Sequence, residues 1–75
     1  MHNAWYLLSY DIHSPTRLRR THSLLRKQAH PLLESLFSFN GSPSELLVLR
    51  QQLAQRVNSK EDDMLIYRLR HDRPI

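Results

Sequence analysis

No cysteine occurs in the chain, which excludes disulfides and any thiolate-ligated metal centre. With His, Asp and Glu as the remaining conventional protein ligands, a hard oxygen site is favoured over a zinc site. Gly41 is the only glycine, so no glycine-rich loop can cradle a phosphate. The longest apolar run, Ala4 to Leu8, falls far short of the roughly 20 residues of a membrane span. It is also too short for a secretory h-region, and no basic segment precedes it. These absences predict a soluble, unexported chain that works in the cytoplasm and meets no membrane. Acidic residues are in deficit as well: 7 Asp plus Glu face 11 Lys plus Arg, for a net charge of +4 and a pI near 10.1. Nine of the basic residues are arginine, whose planar fork suits phosphate. Nucleic acid is the first candidate partner, with charge serving solubility alone as the alternative.

What is present begins with Trp5, Tyr6, Leu7, Leu8, Ser9, Tyr10 and Asp11, an apolar and aromatic run that stops on a carboxylate. Aromatic side chains favour an extended, half-buried backbone, so a strand is expected. Alternation puts Trp5, Leu7, Ser9 and Asp11 on one face and Tyr6, Leu8 and Tyr10 on the other. Both faces require cover. A chain of this length buries only about 60% of its unfolded surface on folding, so a partner sheet is expected over the second face. Asp11 then either stands at the lip of a buried seam or begins the turn into the next element.

Ser14 and Pro15 form a helix start, a capping side chain followed by proline at the first helical position. At 3.6 residues per turn, Leu18, Thr21, His22, Leu25 and Ala29 share an apolar face with Leu24 at its edge. Arg19, Arg20, Arg26 and Lys27 fall opposite. No acidic residue lies between Arg17 and Lys27 to neutralise them, whereas a solvated helix face normally mixes both signs. A phosphate-binding strip is therefore preferred to a solvated face. His30 and Pro31 stop the helix, and Leu32 to Phe39 read as one or two short strands. Asn40-Gly41 is a turn signal. Ser42, Pro43, Ser44 and Glu45 form a capping box, opening a second helix with core positions Leu46, Leu49, Leu53 and Val57 supported by Leu47 and Ala54. Arg50, Gln51, Gln52, Gln55 and Arg56 face outward. Asn58 to Asp63 is a polar loop whose Glu61, Asp62 and Asp63 read as solvated turn residues rather than metal ligands. Met64 to Leu69 closes the chain as a strand, and His71 to Ile75 carries no strong signal.

The order strand, helix, one or two strands, helix, strand is the βαββαβ pattern of a ferredoxin-like α+β sandwich, an antiparallel sheet with two helices on one face. Residues 1–75 are expected to form this single domain, with 71–75 a short tail. Without cysteine, a phosphate loop or a recognisable Ser-His-acid spacing, the chemistry left rests on Asp11. A twofold axis along the first strand would bring a second copy of it close, and two carboxylates with waters and a phosphate can hold Mg²⁺. His13 reads as an exposed turn residue or an assisting base, and His22 as a core-edge histidine. Tyr10, Phe37 and Tyr67 are expected to pack in the core.

Tyr10-Asp11-Ile12 ending the first strand, Arg17, Arg19 and Arg20 in the following helix, Ser35-Leu36-Phe37, Ser42-Pro43-Ser44-Glu45-Leu46, and Asp62 with Tyr67 and Leu69 together resemble the small CRISPR-associated Cas-two (Cas2) family. The resemblance spans Trp5 to Leu69, with Leu33 standing where the family often has glutamine. It implies a homodimer joined through its sheets that sits between Cas-one type integrase dimers and helps hold duplex DNA during spacer acquisition. It also implies a variable Mg²⁺-dependent nuclease activity, on single-stranded RNA or duplex DNA, with Asp11 as catalytic residue and metal ligand. Strip and match together name Arg17, Arg19, Arg20, Arg26 and Lys27 as the nucleic-acid-binding set.

Overall fold

The computed structural model describes residues 3–70; the tail expected at His71 to Ile75 lies outside them. The elements follow in the order β1 (Ala4–Asp11), α1 (Pro15–Gln28), β2 (His30–Leu33), β3 (Leu36–Gly41), α2 (Pro43–Ala54) and β4 (Asp63–Arg68). They form one four-stranded antiparallel sheet in the spatial order β2-β3-β1-β4. This is the expected ferredoxin-like arrangement, with β1 and β3 central. The alternation read from β1 is realised: Ala4, Tyr6, Leu8 and Tyr10 are buried, while Trp5, Leu7 and Ser9 are half-buried and Asp11 is exposed. Both helices supply side chains to the first face, where Leu24, Leu25, Leu46, Leu49 and Leu53 join Tyr6, Leu8, Phe37 and Phe39 in a single core. Full burial of Leu8, Leu25, Phe37 and Leu49 contributes about 1.5–3 kcal/mol each.

Both helix starts form as their sequences require. Ser14 accepts a hydrogen bond from the Arg17 N–H, and Ser42 and Glu45 exchange bonds as a complete capping box. The buried side of α1 is Thr21, Leu24 and Leu25, so Leu24 is central rather than marginal. Leu18 is instead exposed, because the space beside it, towards Glu34, is open. In α2, Leu46, Leu49 and Leu53 are buried and Val57 half-buried, but Leu47 and Ala54 face outward. The helix packs through a narrower stripe than its composition offers.

Three features depart from expectation. β2 begins at His30, because Ala29 is already extended after α1 and the residue before a proline is driven to extended geometry. Asn40 and Gly41 belong to β3, paired with Trp5 and Ala4; the chain turns at the extended cap Ser42 instead. Gly41 has no positive φ, and its requirement is space: a Cβ there would lie 2.7 Å from the buried Phe39 ring. Tyr67 is the third. It lies on the face without helices, more than half exposed beside Leu65. Tyr10 and Phe37 do pack in the core, with ring centroids 6.1 Å apart, and the His22 ring meets the Phe37 edge at 5.4 Å.

Candidate functional site

The helix-free face ends in a pair of acids. Antiparallel register sets Asp11 of β1 directly opposite Asp63 of β4, on the side that also carries Ser9 and Leu65. Like charges directly across a ladder oppose each other, so this end of the sheet holds a local excess of negative charge. The Asp11 side chain is 72% exposed, and the His13 ring brings Nε2 to 3.7 Å from its Oδ2. A shallow groove lined by Ser9, Asp11, Asp63 and Leu65 runs past the pair. Asp11 is the carboxylate expected at the end of β1, whereas Asp63, expected in the solvated loop, is the first residue of β4. The missed signal was register, which only pairing of β1 with β4 reveals.

Asp62, one residue earlier, has the opposite character. Its side chain is 1% exposed and accepts four hydrogen bonds: from Arg17 Nε at 2.7 Å, Arg17 Nη2 at 3.1 Å, the Asn58 N–H at 2.8 Å and the His13 N–H at 3.1 Å. The Arg17 fork, followed by the two backbone donors, holds the Asp62 carboxyl far below the usual carboxylate range against the opposing effect of burial. The same contacts raise the Arg17 pKa. Arg17 also reaches Glu61 at 3.3 Å. Its charge is thus already met by two carboxylates, which sets it apart from the other basic residues of α1. Asp62 is a structural tie that fixes the β1–α1 and α2–β4 loops on either side of the Asp11–Asp63 pair.

Arg19, Arg20, Arg26 and Lys27 stand exposed on α1, and none pairs with a carboxylate among the described residues. The fold adds Arg56, just beyond α2, which with Arg19, Arg20 and Lys27 lines a cleft of about 570 Å³. Sequence periodicity could turn Arg56 outward from α2 but could not say that α1 lies beside it.

Comparisons with known proteins bear on the family and the fold. The family model described as CRISPR associated protein Cas2 matches residues 4–73. The chain belongs to the Cas2 family. It is 36% identical over 64 residues to a curated relative named CRISPR-associated endoribonuclease Cas2 1 from Nitrosomonas europaea, covering 85% of this chain and 61% of that protein. The chain therefore spans about three-fifths of the relative's length. Among solved structures it resembles Cas2 of Streptococcus pyogenes at a TM-score of 0.79 and 26% identity, over 87% of this chain and 84% of that one. A hypothetical protein from Thermus thermophilus, TT1823, shares the fold at a TM-score of 0.87 and 24% identity, over 91% of this chain and 83% of its own.

In this Cas2 chain the donor set at the sheet end suits a hard cation. Asp11 and Asp63 supply two carboxylates from adjacent strands, and among the described residues no group of three or more His, Asp or Glu converges into an enclosing cage. Mg²⁺ commonly takes one or two protein carboxylates, keeping several waters and recruiting substrate phosphate oxygens. Those residues fit such a half-built site and do not fit a closed structural one.

Proposed function

We propose that this Cas2 chain is a nucleic-acid-binding subunit of CRISPR spacer acquisition: a homodimer that holds duplex DNA by its phosphates and bridges Cas-one type integrase dimers. The observation that carries the reading is the outer face of α1, where four cations stand without a carboxylate partner among the described residues. Surface arginines that served only solubility would be interspersed with acids; these are not. Phosphate contacts position a protein on a duplex without reading bases, so binding is expected to be independent of sequence. The helix-free face, with Leu65 and Tyr67 more than half exposed, supports pairing of two copies through their sheets. A dimer that neutralises about four to eight phosphates loses duplex affinity with a log-log salt slope near 0.9 per phosphate. Arg19→Gln and Arg26→Gln each lower that slope by about one. Binding that barely responds to salt would sink the reading.

The Asp11–Asp63 pair favours a second reading, Mg²⁺-dependent endonuclease activity on single-stranded RNA or duplex DNA, and the name of the Nitrosomonas relative supports it. A bound Mg²⁺ supplies polarisation of a phosphoryl oxygen and a more acidic water. In this chain Asp11 and Asp63 would hold the ion, and the neighbouring His13 ring, exposed and close to Asp11, would take up a proton. Cleavage of labelled RNA and duplex DNA, followed with Mg²⁺ and with chelator, tests it: Asp11→Asn abolishes cutting and leaves duplex binding unchanged. Persistent cutting by that variant would remove Asp11 from the chemistry.

A further inference from the structure

Arg56 changes the shape of the basic surface, and a deeper reading of the proposed duplex-binding strip follows from it. On α1 alone the cations form a convex ridge. Arg19, Arg20 and Lys27 also form one wall of the cleft whose other wall carries Arg56 and Gln55, and no carboxylate lines it. Concave surfaces bearing charge of a single sign focus potential more strongly than flat ones. Arg56 is half-buried and held in place: its Nη1 donates to the Gln52 carbonyl at 3.0 Å, leaving Nε and Nη2 without a partner among the described residues. Gln52 is itself the tie between the helices, its side chain accepting from Gln28 Nε2 at 2.9 Å. One residue therefore both links the two walls and orients the guanidinium.

We infer that this cleft is a phosphate seat, in which Arg56 and the α1 cations grip one phosphate group of a nucleic-acid strand from two sides. The inference rests on the duplex-binding reading, and it extends the contact surface from one helix to two. The ligand chemistry is a phosphate, supplied either by the strand's interior as a phosphodiester or by its end as a monoester. A monoester carries about −1.5 to −2 charges near neutral pH and three free oxygens.

The test measures duplex binding by fluorescence anisotropy across a salt series for wild type, Arg56→Gln, Arg56→Lys and Arg26→Gln; Arg26 lies on the strip but outside the cleft. Arg56→Gln is expected to weaken binding about tenfold and to lower the log-log salt slope by about one, while Arg56→Lys keeps the slope. Repeating the series on closed circular duplex, and on linear duplex ending in 5′-phosphate or 5′-hydroxyl, identifies the source. An Arg56 effect that persists on circles assigns an interior phosphodiester, and one confined to 5′-phosphorylated ends assigns the monoester. If Arg26→Gln weakens binding and Arg56→Gln does not, the seat is refuted and the strip stands. If Arg56→Gln and Arg56→Lys lower affinity equally with melting temperature, Arg56 only caps α2 and the seat is again refuted. If no variant departs from wild type, the duplex-binding reading itself has failed.

Discussion

Asp62 gathers four donors from three residues, His13, Arg17 and Asn58, and its ionisation is coupled to folding. Its folded-state pKa is depressed, chiefly by Arg17, so the folded state binds fewer protons there than the unfolded chain. The stabilisation is fully present above the unfolded carboxyl value of about 3.9 and is lost as pH falls through the lower folded value. Asp62→Asn is therefore expected to melt below wild type near neutral pH, with the two melting curves converging in strong acid. Calorimetry across pH checks this, and a constant difference at every pH would show that the ion pair contributes nothing through Asp62 ionisation. At this scale sequence reading was weakest. Arg17 and Asp62 lie 45 positions apart, and nothing in either segment announces the other. Asp63 was obscured for a related reason, since an acidic triplet on a loop looks uniform until one member is buried, one exposed in a ladder and one paired with Arg17 at the surface.

At the scale of elements the sequence was far more informative, because caps and periodicity act locally. Ser14-Pro15 and Ser42-Pro43-Ser44-Glu45 mark the two helix starts, and the alternation of Trp5 to Asp11 marks both faces of β1. Misreadings arose where tertiary packing overrode a local preference. Asn40-Gly41 favours a turn in isolation, yet pairing with Trp5 and Ala4 keeps it extended. The glycine is retained there for space rather than for conformation, so Gly41→Ala should drive a methyl group into the Phe39 ring. A cost of about 1–3 kcal/mol is expected. That corresponds to a melting temperature lower by about 4–8 °C for each kcal/mol in a domain of this size. Thermal unfolding followed by circular dichroism checks it; an unchanged midpoint would mean that Phe39 has an alternative rotamer at no cost.

For the whole molecule, the distribution of apolar surface is the governing fact. One sheet face is sealed by α1 and α2, whereas the other presents Leu65 and Tyr67 to solvent beside half-buried Trp5, Leu7 and Leu36. Pairing of two copies through this face would remove that surface from water, and a charge placed within it would oppose pairing. If the proposed dimer forms through this face, Tyr67→Arg is expected to raise its dissociation constant by more than about thirtyfold with the fold intact, read by sedimentation equilibrium. A dimer of unchanged affinity would place the contact elsewhere. The two margins of the sheet also differ. At the β2 margin, Pro31 lacks an N–H and the register shifts between Pro31 and Leu33, whereas β4 pairs without interruption from Asp63 to Arg68. A proline and a broken register blunt an edge against strand addition. If two copies were to join at β4, the margin left outermost on each side would be β2, whose proline and broken register disfavour the addition of a further strand.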